Sequence, residues 1–149
     1  MPDELVGVHV AALKLLPNAR GRLMEVQRAD DAIFPGFGQV YITSTYPAVV
    51  KAWYRHHRQI DQIAVVKGLL KLVLFDARPD SATHGRVQEI ILGELAPKLV
   101  QIPPGLWHGF QALGNEECFL LHLNSRAFDA DGPDEDRVPA DSSEIPYRW

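Results

Sequence analysis

Residues 53–75 read WYRHHRQIDQIAVVKGLLKLVLF and divide into a polar half and an apolar half. In the apolar half, Gly68 separates two runs that are rich in β-branched and aliphatic residues. This pattern predicts two neighbouring antiparallel strands, at residues 63–66 and 69–75. The polar half, residues 53–61, carries two histidines and two arginines. Such a titratable segment within a sheet forms either a solvated edge or the wall of a cavity.

Short strand-like segments continue on both sides, and glycine or proline turns separate them. The predicted segments are 6–10, 22–26, 39–45, 48–50, 87–92, 99–102, 107–113 and 119–123. No helix of more than a turn or two and no internal repeat is evident. The pattern predicts an all-β fold, a sandwich or barrel and most simply a jelly roll. We expect a single domain over residues 1–149, with an irregular tail from about residue 124 packed over its surface.

Composition excludes several classes of protein. A chain of 149 residues with 46% hydrophobic residues can bury a sizeable core. The net charge of −4 argues against general binding to nucleic acid or to a membrane surface. Cys118 is the only cysteine, so no internal disulfide can form, and its apolar neighbours predict a buried thiol. With no signal-like N-terminus and no apolar run of membrane-spanning length, we expect a cytoplasmic protein.

A metal site is one interpretation of the polar segment. Alternate residues of a strand share a face, so Tyr54 and His56 should point the same way. His56, Asp61 and His108 could then supply two histidines and one carboxylate to iron or another divalent ion. Together with the PxGxxH sequence at residues 103–108, this spacing resembles the two motifs of the cupin superfamily of jelly-roll proteins. A metal-binding cupin would have histidine where Tyr54 stands. Because phenolate is an uncommon ligand, we expect a cavity without a metal or other cofactor, and the metal site stays an alternative.

Further motifs occur in one order along nearly the whole chain. They are Arg20-Gly21-x-x-x-Glu25, Gln39, the segment ending at Gln59, Lys67-Gly68, Phe75-Asp76-x-Arg78, Pro103-x-Gly105-x-x-His108-Gly109-Phe110 and Asp141 to Trp149. Together they resemble the dTDP-4-dehydrorhamnose 3,5-epimerase family of metal-free cupins, of which this chain looks like a shorter branch. The resemblance implies a homodimer that binds a dTDP-linked 4-keto-6-deoxysugar and epimerises it by proton transfer beside the ketone.

The resemblance also implies roles for single residues, and some of the family's residue types are missing. The family's base histidine falls on Tyr54, its lysine on Asp61, and its tyrosine acid, thirteen residues after His108, on Leu121. His108 is retained, and Asp141 is the counterpart of the aspartate that orients the base. The residues expected to bind the substrate are in place at Arg20, Glu25, Gln39, Lys51 and Gln59.

Since the usual base and acid are absent, we expect His56 to act as the base and Tyr54 as the acid. Two alternatives remain open. One is a non-catalytic sugar-nucleotide-binding module that keeps the pocket, and the other is a metal-dependent cupin that uses His56, Asp61 and His108.

Three predictions concern residues outside this set. The acidic segment 129–136 is expected to be a solvated surface. His122 lies in an apolar strand and is expected to be a hydrogen-bonded structural residue. Trp53 and Trp107 are equally consistent with the core and with stacking on a base.

Overall fold

The computed structural model describes residues 4–149, which form twelve β-strands and no helix, and therefore no helix that could cross a membrane. The strands are β1 (His9–Ala12), β2 (Leu15–Asn18), β3 (Gly21–Met24), β4 (Gln39–Thr45), β5 (Val50–Arg55), β6 (Asp61–Lys67), β7 (Leu69–Asp76), β8 (Val87–Gly93), β9 (Lys98–Ile102), β10 (Leu106–Leu113), β11 (Cys118–Asn124) and β12 (Asp136–Arg137). Each predicted segment overlaps one of them. The largest difference is β5, which continues into the polar segment as far as Arg55.

Two five-stranded antiparallel sheets pack face to face, and β2 and β3 form a separate hairpin. Sheet I has the order β1-β9-β6-β11-β4, and sheet II has the order β12-β5-β10-β7-β8. Because successive strands from β4 onward alternate between the two sheets, apart from the pair β7–β8 within sheet II, the architecture is that of a jelly roll. The all-β jelly-roll prediction is confirmed.

The prediction that the strands on either side of Gly68 pair with each other is wrong. β6 pairs with β9 and β11 in sheet I, whereas β7 pairs with β10 and β8 in sheet II. Gly68, with φ +92°, turns the chain from one sheet to the other, and a Cβ there would lie 3.0 Å from the Cα of Cys118. A tight turn between two apolar runs has the same sequence pattern whether the strands pair or face each other.

The register shows that the interior has two chemically different sides. Across sheet II, from β8 to β12, one inward row reads Gln88, Leu74, His108, Tyr54 and Arg137. Across sheet I, from β1 to β4, the matching row reads Val10, Val100, Ile63, His122 and Tyr41. We call the half of the interior between β7–β8 of sheet II and β1–β9 of sheet I the apolar side. The half between β5–β10–β12 of sheet II and β4–β11 of sheet I is the cavity side. The main hydrophobic cluster is centred on the apolar side, with buried residues of β7, β8 and β9, and it extends onto β6, β10 and β11.

The C-terminal tail covers the outer face of sheet II. Ile145 is fully buried there against Trp53 and Trp107, and Tyr147 and Trp149 pack beside them. Both tryptophans therefore belong to a core, on the face opposite to Tyr54 and His108. The tail also approaches the backbone closely, because a Cβ on Gly109 would lie 3.0 Å from the ring of Trp149.

Candidate functional site

A cavity of about 370 Å³ lies on the cavity side, between the two sheets and under part of the C-terminal tail. Its lining is Tyr41, Thr43, Lys51, Tyr54, His56, Asp61, Ile63, His108, Phe110, His122, Glu135 and Arg137. The predicted residues Lys51, Tyr54, His56, Asp61 and His108 are all among them. The polar segment is therefore the wall of a cavity and not a solvated edge.

His56 reaches the cavity by a route that differs from the predicted one. β5 ends at Arg55, and residues 56–60 cross from sheet II to sheet I, where β6 begins at Asp61. Tyr54 points inward from the strand, whereas His56 enters from this crossing loop. The backbone N–H of Gly105 donates to the carbonyl oxygen of His56 at 2.8 Å and holds the loop in place.

Two histidines face one buried carboxylate. The Oδ2 atom of Asp61 lies 2.9 Å from Nε2 of His108 and 3.2 Å from Nε2 of His56. The two imidazole rings are nearly parallel, with centroids 5.7 Å apart. On the far side of each ring, Nδ1 of His56 lies 2.6 Å from the carbonyl of Asp134, and Nδ1 of His108 lies 3.2 Å from the carbonyl of Leu106.

This arrangement determines which ring nitrogen exchanges a proton. A backbone carbonyl can only accept a hydrogen bond, so each Nδ1 carries hydrogen and each Nε2 is free to gain or lose one. Burial opposes the charged form of His56, but its hydrogen bond and attraction to Asp61 raise its pKa above the ordinary value. Burial would raise the pKa of Asp61, but the hydrogen bonds from His108 and His56 hold that pKa well below its usual range. The side-chain amide of Gln59 also donates to Oδ1 of Asp61 at 2.5 Å.

The same three side chains converge as the metal interpretation requires. Ligand atoms of His56, Asp61 and His108 all lie within 4.8 Å of one another. Nδ1–H groups that donate to carbonyls leave Nε2 for either a proton or a metal ion. The donor set is compatible with a divalent cation, so metal content belongs to the test of function.

A second polar group lines the facing wall, on sheet I. The rings of Tyr41 and His122 stack with centroids 4.6 Å apart and 16° between their planes. Nε2 of His122 lies 2.7 Å from the hydroxyl of Thr43. Burial lowers the pKa of His122 to about 4, so its imidazole is neutral at pH 7. His122 is hydrogen-bonded, as expected, but it lines the cavity as well as supporting the sheet.

The acidic segment was predicted to be solvated, and for its last three residues this is wrong. The carboxylate of Asp134 accepts the backbone N–H groups of His57, Arg58 and Gln59 at 2.8–3.2 Å. Glu135 lines the cavity, and Asp136 pairs with Arg55 at 2.6 Å. The crossing loop presents backbone donors without strand partners, and buried donors require acceptors. The tail supplies them, and in doing so it covers the site.

The other predicted binding residues are divided between two places. Gln39 and Gln59 border an adjoining depression of about 340 Å³, which shares Tyr41 and His56 with the cavity. Its wall also includes the side chains of Arg58, Arg126, Phe128 and Arg137. Arg20 and Glu25, by contrast, lie in the turn of the β2–β3 hairpin and just beyond β3, exposed and away from the cavity lining.

The orienting role given to Asp141 does not fit the structure. Asp141 lies in an exposed turn of the tail and is absent from the cavity lining, whereas Asp61 contacts both histidines. Sequence reasoning named Asp61 only as a metal ligand. It also missed Tyr41, Thr43, Glu135 and Arg137. For the first two a signal existed, because Gln39, Tyr41 and Thr43 alternate on β4 and share a face.

Comparison with known proteins gives the family. The family model described as dTDP-4-dehydrorhamnose 3,5-epimerase matches residues 2–149. The chain belongs to this family. A "probable low-salt glycan biosynthesis epimerase" of Haloferax volcanii is 38% identical over 144 residues, covering 95% of this chain and 92% of that protein. The spore coat polysaccharide biosynthesis protein SpsL of Bacillus subtilis is 34% identical over 143 residues, covering 96% and 95%.

Solved structures agree. A dTDP sugar isomerase from Desulfovibrio desulfuricans G20 superposes with a TM-score of 0.93 at 31% identity, covering 97% of this chain and 92% of that one. NovW, a 4-keto-6-deoxy sugar epimerase of Streptomyces spheroides, has a TM-score of 0.86 at 23% identity, covering 97% and 75%. At that identity the likeness supports the fold alone.

Proposed function

We propose that this protein is an epimerase that inverts a carbon beside the ketone of a dTDP-linked 4-keto-6-deoxysugar. The observation that carries the proposal is the arrangement of His56, Asp61 and His108 in the cavity of a chain of this family. Two Nε2 atoms facing one buried carboxylate form a site that accepts a proton and stabilises the resulting imidazolium. The relatives named as epimerases and as a dTDP sugar isomerase support the substrate class.

The chemistry begins at a carbon made acidic by the neighbouring ketone. Nε2 of a neutral His56 removes the proton from that carbon, and Asp61 stabilises the imidazolium that forms. The electron pair of the broken C–H bond forms a C=C bond, and the π pair of the ketone moves onto its oxygen, which gives the enolate. Fixed cationic and hydrogen-bonding groups must stabilise this oxygen. Lys51, Tyr54 and Arg137 line the cavity and are suited to that role.

The base must be neutral to act, which sets the direction of the pH dependence. The pKa of His56 is raised, so part of the enzyme carries a protonated base near and above pH 6.5. We expect the exchange rate to rise with pH through this raised pKa. A rate that is flat or falling between pH 6 and pH 8 would argue against His56 as the base.

Arg20 and Glu25 can serve the substrate only across an interface between two copies. The hairpin that carries them exposes Leu16 and Leu23, and the edge strand β4 exposes Val40 and Ile42. Exposed apolar residues on an edge strand are a common site of association. We infer a homodimer in which the β2–β3 hairpin of one protomer reaches the partner. A cytoplasmic location belongs to the same proposal, supported by the single buried cysteine.

Exchange of substrate hydrogen with solvent tests the reaction directly. The protein is incubated with dTDP-4-keto-6-deoxyglucose in deuterated water, and deuterium at C3 and C5 is followed by NMR. Wild type is expected to incorporate deuterium. His56→Asn should abolish incorporation while dTDP still binds, and His57→Asn, at the exposed neighbouring histidine, should not. Exchange that is unchanged in His56→Asn would exclude His56 as the base. Tight dTDP binding without any exchange in wild type would identify a binding module.

Metal analysis separates the remaining alternative. Elemental analysis of the purified protein, before and after EDTA treatment, is compared with the exchange rate. We expect full exchange after chelation. A stoichiometric metal that disappears in His108→Asn, together with loss of exchange on chelation, would identify a metal-dependent cupin.

The dimer has its own test. Sedimentation should give the mass of two chains, and Arg20→Ala mixed with His108→Asn should recover activity, because each mixed dimer then contains one intact site. A monomer, or a mixture without recovery, would place Arg20 outside the site.

A further inference from the structure

The proposed base and Tyr54 lie close together, which limits what Tyr54 can do. Tyr54 and His108 are Cα partners on the neighbouring strands β5 and β10 of sheet II, with ring centroids 6.2 Å apart. His56 also stacks on His108, with ring centroids 5.7 Å apart, so His56 and Tyr54 both adjoin the same imidazole. A proton returned from this wall enters the face of the sugar from which it was removed. Inversion requires a donor on the facing wall.

On sheet I, Tyr41 presents a phenol hydroxyl that can donate a proton into the cavity. This residue borders both the cavity and the adjoining depression, and its side chain is partly exposed to them. Nδ2 of Asn124 donates to the phenol oxygen at 3.2 Å, so the O–H group of Tyr41 is available to donate in turn. The stack on His122 and the Thr43–His122 contact hold the ring in place.

The strand register shows how this tyrosine relates to the missing acid. The family's tyrosine acid falls on Leu121, but the residues of β11 alternate, and it is His122 that faces the cavity. His122 is the Cα partner of Tyr41 on the neighbouring strand β4. The phenol group is thus absent from β11 and present one strand away, on the same wall.

We propose that Tyr41 is the proton donor of the epimerisation, on the face opposite to His56, and that His122 is a positioning residue that holds its ring. The inference rests on the proposed function. Tyr41 gives its hydroxyl proton to the carbon from which His56 took one. The electron pair of the enolate C=C bond forms the new C–H bond on the other face, and a lone pair of the enolate oxygen restores the ketone. The phenolate then takes a proton from solvent, and the imidazolium releases one to solvent.

The surroundings of Tyr41 suit a donor. Burial raises its pKa, so the phenol is protonated at neutral pH, while the hydrogen bond from Asn124 favours the phenolate that forms on donation. A cationic neighbour would lower the pKa of the Tyr41 phenol and favour loss of its proton before the substrate binds. His122 is neutral at pH 7, because burial lowers its pKa, so it supports the ring without lowering the pKa of the phenol.

Three tyrosine-to-phenylalanine variants test the assignment, each with two readouts in deuterated water: deuterium incorporation and net inversion at the carbon beside the ketone. Tyr41→Phe should keep deuterium incorporation within a few-fold and lose inversion by roughly 100-fold or more, because the base still works on its own face. Tyr54→Phe should slow both readouts together. Tyr46→Phe, at a residue 68% exposed and outside the cavity, is the matched control and should change neither.

The outcomes are distinguishable. Inversion at the wild-type rate in Tyr41→Phe would overturn the proposal, and so would a loss of inversion without loss of exchange that occurs only in Tyr54→Phe. Absence of exchange in wild type would overturn the proposed function together with the assignment of the donor.

His122 is tested by two substitutions. His122→Phe keeps a ring against Tyr41 and should retain inversion within a few-fold, whereas His122→Ala should lower inversion and leave exchange. Equal loss of inversion in both variants would show that the imidazole itself acts. Binding of dTDP and the thermal unfolding midpoint establish that each variant is folded.

Discussion

The apolar side and the cavity side of the interior are enclosed by the same two sheets, yet they contain opposite chemistry. On β7, Leu72 and Leu74 join the hydrophobic cluster, whereas on the neighbouring strand β10 the Cα partner of Leu74 is His108, which faces Asp61. The strands supply the same geometry to both sides. The difference arises from the side chains that the register brings together across strands.

The two sides are also stabilised differently. The apolar side gains free energy from burial of aliphatic surface. Buried polar groups cost free energy unless they are paired, and the titratable groups at the centre of the cavity are paired. Asp61 faces Nε2 of His56 and of His108 and accepts from Gln59, and His122 contacts Thr43. Function therefore depends on individual hydrogen bonds, each of which a single substitution could remove.

The largest effect is expected on the apolar side. Leu72 is fully buried in the hydrophobic cluster, and Leu72→Ala should lower the free energy of unfolding by about 2–5 kcal/mol through the cavity it leaves. Urea unfolding measures this, and exchange per folded molecule should stay near the wild-type value. Leu95→Ala, at a residue 90% exposed, is the control and should have almost no effect. Equal losses of unfolding free energy in Leu72→Ala and Leu95→Ala would contradict the view that burial on the apolar side stabilises the fold.

The next effect concerns His122 and depends on pH. In the folded protein burial lowers its pKa from the ordinary 6.5 to about 4, so between these pH values the unfolded chain binds more protons. Stability should therefore fall as pH drops from 6.5 towards 4, by about 3 kcal/mol from this residue. His122→Phe cannot take up that proton and should lose this part of the decline. Urea unfolding at several pH values measures it, and parallel curves for the two proteins would show that His122 is not buried as a neutral group.

The smallest effect is expected in the covering tail. Asp134→Asn leaves the loop amides a weaker, neutral acceptor and should cost about 1 kcal/mol. Hydrogen exchange should become faster at the amides of residues 57–59 and stay unchanged along β7. Asp131→Asn, at an exposed residue of the same acidic segment, is the control. Faster exchange throughout the protein would mean that the tail supports the whole fold and not the site alone.

Much of the fold followed from local pattern. The apolar runs of β7 and β10 and the alternating residues of β4 lie where they were predicted, because burial of one face imposes a period of two. The pairing of strands did not follow, and the error at Gly68 shows why. Sheet membership is decided by contacts between residues far apart in the chain, such as β6 with β11.

The site divides in the same way. His56, His108 and Lys51 were found because their residue types and spacing resemble those of a family. Asp61 was assigned a different role, and Asp141 was chosen in its place, because only the crossing of residues 56–60 between the sheets brings Asp61 against both histidines. The acidic segment gave no local sign that it would fold back over the loop.

By itself the sequence determined the strand-forming segments, the family and the polar stretch that forms one wall of the cavity. Only the tertiary structure decided that Asp61 joins His56 to His108, that Asp134 closes the loop, and that Tyr41 and His122 stand on the facing wall. The physical reason is the range of the interactions. Strand periodicity is imposed by neighbours along the chain, whereas the protonation and position of a buried side chain are set by groups that only folding brings within hydrogen-bonding distance.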